Sequence, residues 1–216
     1  LLENTIIVFS ADHGEMMGAH GVKPFVKQLA WDEAVRVPFL IRYPKIDDNA
    51  GKLVNAALTT PDILPSLLGL TNIKIPKEIE GENLTELIKN PDPNADRAAL
   101  VMNVAPFGAN YKDQPYRGIR TKQYTYVVTP KGPSMFYDNV KDPYQQNNLL
   151  GKSEFAEIQQ DLDGKLKKEL QKIGDQVRPR AYYMKKWGYK FDDSRRAINW
   201  WDWKTGTGTV QTPKKL

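Results

Sequence analysis

The sequence predicts an α/β fold with a smaller α+β subdomain, and three patterns carry this prediction. Residues 5–9 form a run of β-branched and aromatic side chains, which is typical of a strand buried on both faces of a parallel sheet. Residues 116–128 alternate in a hairpin-like pattern, which indicates an antiparallel sheet. Residues 153–173 repeat apolar side chains at steps of three and four, which predicts one long helix packed on that sheet.

The N-terminal half is predicted to continue with strands and one capped helix. Residues 37–43 predict a second buried strand, and residues 54–58 a shorter one. Thr59 and Thr60 can cap a helix over residues 61–70, which has a proline in its first turn. Two further elements are expected, a turn at 47–51 and a short helix at 84–88.

The C-terminal half is predicted to hold the antiparallel sheet and the long helix. Strands are expected at 98–104 and 134–137, on either side of the hairpin. Ser153 can cap the long helix, Gly174 can end it, and Gly164 should weaken it. Its apolar stripe consists of Phe155, Ile158, Leu162, Leu166, Leu170 and Ile173.

The composition is that of an ordinary globular protein. Hydrophobic residues make up 40% and charged residues 26% of the 216, so general disorder is excluded. There is no cysteine, which excludes disulfides and thiolate chemistry. No apolar run approaches the roughly 20 residues of a membrane-spanning helix, and we expect no membrane partner.

These elements divide the chain into three predicted parts. Residues 1–110 belong to the main α/β domain, residues 111–175 form the subdomain, and residues 176–216 form a tail. In the tail, Arg and Lys alternate with Trp, Tyr and Phe, and residues 205–216 are expected to be extended. The tail could bind a polyanion or stack on sugars, but packing of its aromatic residues on the body is favoured. No nucleic-acid motif is present, and no nucleic-acid partner is expected.

A candidate site follows the first strand, at Asp12, His13 and Gly14. Open α/β sheets place their chemistry at the carboxyl ends of strands. Taken alone, Asp12 could cap a turn and His13 could be an ordinary surface imidazole. A metal site is the alternative interpretation.

A longer series of motifs favours the metal site. After Asp12-His13-Gly14-Glu15 come Gly18-Ala19-His20-Gly21, a lysine, Trp31-Asp32-Glu33 and Arg36-Val37-Pro38. In this order the chain resembles the C-terminal portion of the formylglycine-dependent, arylsulfatase-like sulfatases of the alkaline phosphatase superfamily. Further similar segments at 62–70, 117–121, 136–138, 142–143 and 148–149 extend the resemblance over about residues 5–149.

The resemblance implies both a fold and a metal site. The fold would be the C-terminal part of an alkaline-phosphatase-like three-layer sandwich plus a small α+β subdomain. Asp12 and His13 would bind a divalent metal ion together with two upstream aspartates. Calcium is the first expectation, and Mg²⁺, Mn²⁺ and Zn²⁺ stay open because an imidazole is an uncommon calcium ligand.

The resemblance also implies catalytic residues. Lys27 has the family's spacing to Trp31 and Lys23 is its rival, and either ammonium group could stabilise charge on a sulfate oxygen. His20 would contact substrate or protonate a leaving oxygen, or else hold the loop through a backbone hydrogen bond. Arg36 is expected to brace the loop through a carboxylate.

The implied activity is that of a sulfuric ester hydrolase acting on sulfated carbohydrates or aryl sulfates. The chain contains neither C-x-P-S-R nor S-x-P-S-R, the segment whose first residue becomes formylglycine. We therefore expect the nucleophile upstream, the chain to be an inactive fragment by itself, and its partners to be the missing N-terminal part and a sulfated small molecule or glycan. Self-association of the fragment is expected from its exposed sheet edge.

Two alternatives to a sulfatase are kept open. One is a phosphonate or phosphate monoester hydrolase of the same superfamily, and the other is a non-catalytic module that binds polyanions or glycans. By the same resemblance, a periplasmic or secreted location is expected.

Overall fold

The computed structural model describes residues 2–49, 51–92, 94–95, 97–110, 112–198, 201–202 and 207–208. Within these ranges the chain forms five α-helices and ten short strands, and the strands group into four antiparallel sheets. None of the helices in these ranges is long and apolar enough to cross a membrane.

The first two strands form an antiparallel ribbon. β1 (Ile7–Ser10) pairs with β2 (Phe39–Arg42), with Phe9 opposite Leu40. All four residues of β1 are exposed. The prediction that this strand is buried in a parallel sheet is therefore wrong for the described residues: β1 pairs antiparallel with β2 alone, and burial would need further elements packed on the faces of the ribbon.

The long loop between β1 and β2 is ordered by a small core of its own. Met16, Val26 and Ala34 are buried together, and the Met16 backbone N–H donates to the Val26 carbonyl at 3.0 Å. The loop contains no long helix, as its glycines predict, and leads into the short helix α1 (Asp32–Val35).

Helix α2 (Thr60–Leu70) begins where predicted, with Thr59 as its N-cap. The Asp62 carboxylate accepts hydrogen bonds from the Thr59 backbone N–H at 2.8 Å and hydroxyl at 2.7 Å. Arg97 pairs with the same carboxylate at 2.9 Å. The predicted short helix is also present as α3 (Thr85–Lys89).

The strand predicted at 54–58 is not formed. These residues have no regular structure, because the segment finds no strand partner to complete a hydrogen-bonded ladder. It instead lines a cleft that is described below.

The antiparallel sheet of the subdomain has four strands in sequential order. They are β3 (Ala99–Asn103), β4 (Tyr116–Arg120), β5 (Tyr124–Thr129) and β6 (Gly132–Asp138). The hairpin and the strands predicted on either side of it are thus confirmed. β3, which lies inside the predicted 1–110 part, pairs with β4 along its whole length.

The long helix is confirmed as α4 (Ala156–Lys172), preceded by a 3-10 turn over Ser153–Phe155. Leu162, Leu166 and Leu170 are buried against the sheet. Gly174 ends the helix with φ 62°, and the N–H of the next residue, Asp175, donates to the Leu170 carbonyl at 2.9 Å.

Two details of this helix prediction are wrong. Ser153 does not cap the helix: the N-cap is Phe155, which makes no side-chain capping bond. Ile173 is 43% exposed rather than part of the core, because it lies just past the last helical turn and its direction is no longer set by the helical stripe.

The tail packs on the body of the chain through helix α5 (Arg180–Trp187). Tyr183 is 1% exposed and clusters with Ala105, Met184 and Trp187, as the packing interpretation predicts. Residues 205–216 lie outside the described residues apart from 207–208. The short strands of the tail are β7 (Phe191–Asp192), β8 (Ala197–Ile198), β9 (Trp201–Asp202) and β10 (Thr207–Gly208).

A buried ion pair joins the sheet, the end of α4 and α5. Arg117 is fully buried, and its Nε donates to the Asp175 carboxylate. The Tyr183 hydroxyl donates to the same carboxylate at 2.9 Å, and the Arg117 guanidinium lies over the Tyr183 ring, 5.0 Å from its centroid. Burial opposes ionisation of Asp175, but the hydrogen bond and charge of Arg117 outweigh it and lower the pKa of this carboxyl.

We expect Gly164→Ala to stabilise the chain by about 0.5–1 kcal/mol, because alanine loses less backbone entropy in a helix. A Cβ at this position in α4 would meet no atom within 4 Å. The midpoint of urea unfolding should rise with an unchanged slope. A lower midpoint would show that the helix surface is occupied at this position.

Candidate active site

Asp12 and His13 lie directly beyond the end of β1, whose last residue is Ser10. The His13 Nε2 is 3.2 Å from the Asp12 Oδ2, and the Asp12 side chain is 84% exposed. The His13 backbone N–H also donates to Asp12 Oδ1 at 2.9 Å. The predicted metal-binding pair is thus close in space as well as in sequence.

The hydrogen bonds of His13 identify which ring nitrogen is available. Its Nδ1 is 2.8 Å from the Gly14 carbonyl oxygen, which can only accept, so Nδ1 carries the proton. In the neutral ring Nε2 then carries the lone pair, and in the protonated ring it can donate to the Asp12 carboxylate. A carboxylate and an unprotonated imidazole nitrogen are both ligands that divalent metal ions accept.

Gly14 fixes this pair to helix α1. Its N–H donates to the Ala34 carbonyl at 2.8 Å. A Cβ at this position would lie 2.0 Å from the Glu33 carbonyl oxygen, a distance that no side chain can occupy. The glycine therefore permits a backbone approach that docks the Asp12–His13 turn on α1.

His20 is held by two residues of the Trp31-Asp32-Glu33 segment. Its Nε2 is 3.3 Å from Glu33 Oε2, and its ring stacks on Trp31 with centroids 4.5 Å apart. The residue has a left-handed backbone, with φ 56°. The partner of the ring is thus a carboxylate and not the backbone group that the sequence analysis offered as an alternative.

Lys23 and Lys27 lie on the same loop and are both exposed. Val26, between them, belongs to the loop core, so the backbone that carries both lysines is anchored. Both ammonium groups are accessible to an anion, and the preference for Lys27 stays a prediction.

The residues that hold Asp32 were missed by the sequence analysis. Arg120, at the end of β4, makes two parallel 2.9 Å hydrogen bonds to the Asp32 carboxylate. Gln145, which is 1% exposed, accepts the Asp32 backbone N–H at 2.8 Å. Arg36, expected to brace the loop through a carboxylate, lies 3.8 Å from Asp32 with its side chain 72% exposed, so Arg120 is the stronger brace.

A cleft of 470 Å³ opens beside Asp12. Its lining combines the Asp12 carboxylate with three cationic side chains, Arg36, Arg120 and Lys122. Ser10, Thr59 and Thr60 add hydroxyl groups. Such a lining can receive an anionic ligand next to a carboxylate–imidazole pair.

Among the described residues, no three Asp, Glu, His or Cys side chains converge as a metal site. Asp12 and His13 as metal ligands therefore stay a prediction, and two side chains are fewer than a divalent ion requires.

Comparison with protein families gives a match over residues 18–172, to the family described as N-sulphoglucosamine sulphohydrolase, C-terminal. An ulvan-active sulfatase of Formosa agariphila is 65% identical over 213 residues, which cover 99% of this chain and 42% of that protein. An N-acetylglucosamine-6-O-sulfatase of Bacteroides thetaiotaomicron is 32% identical, covering 74% of this chain and 29% of that protein.

The fold has solved counterparts. A structure determined in complex with its substrate, D-glucosamine-2-N,6-O-disulfate, superposes with a TM-score of 0.63 at 28% identity. The match covers 79% of this chain and 35% of that one. The chain thus spans about two fifths or less of the proteins it matches.

Proposed function

Since this chain belongs to the N-sulphoglucosamine sulphohydrolase C-terminal family, we propose that the protein containing it hydrolyses sulfate esters of an anionic polysaccharide. The chain is a C-terminal portion of a sulfatase and has the predicted α/β fold. The observation that carries the proposal is the Asp12–His13 carboxylate–imidazole pair beside a cleft lined by cationic side chains. The name of the ulvan-active relative and the sulfated glucosamine in the solved structure support a carbohydrate substrate.

Asp12, through a carboxylate oxygen, and His13, through Nε2, are the residues of this chain that would hold a divalent metal ion. When bound, the ion would neutralise negative charge on a sulfate group and orient it for attack. Calcium is the first candidate. Mg²⁺, Mn²⁺ and Zn²⁺ are further candidates, because an imidazole is an uncommon ligand of calcium.

The remaining residues of the site would bind, orient and transfer protons. Arg36 and Lys122 line the cleft and would attract the anionic substrate, while Lys27, or Lys23 in its place, would stabilise charge on a sulfate oxygen. His20 has its Nε2 engaged by Glu33, which leaves Nδ1 as the atom to contact substrate. As the resemblance implies, His20 would contact the substrate or give a proton to a leaving oxygen.

The nucleophile would come from another part of the protein, because these 216 residues contain no C-x-P-S-R or S-x-P-S-R segment. We infer that a formylglycine there attacks the sulfur and that this chain alone does not turn over. The exposed apolar side chains of the β1–β2 ribbon, Phe9 (61% exposed) and Leu40 (63%), would be covered by the same part. A periplasmic or secreted location stays a prediction.

We expect Asp12→Asn to lower turnover by about 10³-fold, the effect of removing one group that stabilises developing charge. The test uses the full reading frame coexpressed with a formylglycine-generating enzyme, and measures sulfate release from an aryl sulfate and from ulvan after metal removal and re-addition. Asp161→Asn is the matched control, since Asp161 is 64% exposed on α4 and should leave turnover unchanged.

Three outcomes would contradict the proposal. Turnover of phosphate or phosphonate esters alone would assign the protein to the sister hydrolases. Polysaccharide binding without sulfate release would favour the non-catalytic module. Equal turnover in Asp12→Asn and wild type would remove Asp12 from the site.

A further inference from the structure

The net positive charge of this chain lies in its C-terminal part. Residues 176–198 contain seven Arg or Lys and two Asp, a net charge of +5, whereas residues 1–175 carry a net charge of −2. A segment of 23 residues with such a balance creates a local positive potential that attracts polyanions.

Helix α5 separates its packing side chains from its cationic ones. Tyr183 and Met184 are buried, at 1% and 8% exposure, whereas Tyr182 is 45% exposed. Tyr182, Lys185 and Lys186 are spaced three and four residues apart, so they lie on one face of the helix, and Arg178, two residues before the helix, reaches this face over the Tyr182 ring. We call the following four the α5 surface: Arg178, Tyr182, Lys185 and Lys186, of which the three cations are also exposed.

The α5 surface combines a flat ring with positive charge. The Arg178 guanidinium lies over the Tyr182 ring, 5.7 Å from its centroid, and its Nε donates to the Gln176 side chain at 2.9 Å. A ring of this kind can stack on the apolar face of a sugar, and neighbouring cations can bind its sulfate groups. Asp192, one of the two acidic residues of this segment, is engaged with the Ser194 hydroxyl at 2.6 Å and with Arg195 at 3.6 Å.

Helix α5, which carries this surface, is anchored to the sheet by buried contacts. The residue that follows Tyr182 is Tyr183, whose hydroxyl donates to Asp175 at 2.9 Å, and Asp175 pairs with the buried Arg117 of β4. Gly188 ends the helix in the left-handed conformation, with φ 70°. A binding surface built on an anchored helix loses little conformational entropy when a ligand binds.

We propose that the α5 surface is a second binding site for the sulfated polysaccharide, separate from the reaction cleft. The described residues that line the cleft all lie between 10 and 122, so the α5 surface is not part of it. A polymer held here would raise the effective concentration of its other sulfated units at the cleft. This inference rests on the proposed function, because a sulfated polysaccharide is the polyanion that a sulfatase meets.

The test compares dextran sulfate with neutral dextran, which have the same backbone and differ in sulfate. Lys185→Gln/Lys186→Gln is expected to weaken retardation in a dextran sulfate affinity gel by about tenfold at low ionic strength, with the difference shrinking as salt screens the charges. Tyr182→Ala should weaken it further. The matched control is Lys167→Gln/Lys168→Gln, which removes the same charge from the exposed face of α4 and should leave retardation unchanged. The protein is expressed from its full reading frame.

Each result decides between the α5 surface and its alternatives. Equal loss in the two double variants would overturn the proposal, since net charge alone would then account for binding. Competition by duplex DNA as effective as that by dextran sulfate would assign the surface to nucleic acid instead. Sulfate release from a small aryl ester should be the same in Lys185→Gln/Lys186→Gln and in wild type. If wild type releases no sulfate, the proposed function is contradicted. If only this variant loses sulfate release, the α5 surface is not a site separate from the reaction cleft.

Discussion

Asp175→Asn is expected to destabilise the chain by about 3–5 kcal/mol, the cost of leaving a buried charge without its partner. Arg117 is fully buried, and its Nη2 has no hydrogen-bond partner among the described residues. Asp175, with its side chain 15% exposed, supplies the countercharge for this guanidinium. Asparagine replaces one of the two acceptor oxygens, which accept from Arg117 and Tyr183, by an NH₂ donor and cannot balance the charge.

The effect of this variant should depend on pH. Arg117 lowers the pKa of Asp175 in the folded chain, so its carboxylate contributes stability that is fully present above the unfolded pKa of about 3.9. This contribution is lost as the pH falls through the folded pKa. The difference in unfolding free energy between wild type and Asp175→Asn should therefore be largest at neutral pH and shrink below about pH 4.

Asp161→Asn is the control, since it breaks an exposed 3.4 Å pair with Lys165 and should cost less than about 1 kcal/mol. Urea unfolding at pH 7 and at pH 3.5 compares the two variants with wild type. A cost of Asp175→Asn similar to that of Asp161→Asn would mean that water reaches Arg117. A difference that grows in acid would mean that the carboxyl is not held charged by Arg117.

Local features of this chain could be predicted from its sequence, because the residues that determine them are neighbours. The buried leucines of α4 and its end at Gly174 follow from a repeat and a left-handed residue. The apolar run of β1 predicted that its side chains are buried. Burial also requires other elements packed on the strand, and the run itself does not show which elements these are. Among the described residues, the strand that pairs with β1 is β2.

The order of motifs selected Asp12, His13 and His20 as candidate site residues, and their catalytic and metal-binding roles stay predictions. The contacts that support the loop carrying them were not predicted from the sequence. Asp32 and Gln145 are 113 residues apart in sequence, and no local pattern marks a glutamine as the buried partner of a distant backbone N–H. The same holds for Arg120, whose pairing with Asp32 depends on how the sheet packs against the loop.

Gly14→Ala is expected to lower turnover of the full-length protein by about 10²-fold, the effect of a displacement of about 1 Å at reacting groups. The new methyl group would lie 2.0 Å from the Glu33 carbonyl oxygen and 2.9 Å from its carbon. Both atoms belong to the backbone of α1 and cannot rotate away, so the Asp12–His13 turn must move. The hydrogen bond from the Gly14 N–H to Ala34, now 2.8 Å, would lengthen or break.

This displacement should have a signature that simple destabilisation lacks. If Asp12 and His13 hold a metal ion, moving their turn should raise the metal concentration needed for half-maximal turnover, while the folded fraction at the assay temperature stays high. Gly164→Ala makes the same chemical change where a Cβ meets no atom within 4 Å, and it should leave turnover and metal requirement unchanged. Unaltered turnover in Gly14→Ala would show that the turn is not docked on α1 in the active protein, and that the contact between Gly14 and Glu33 does not position the site.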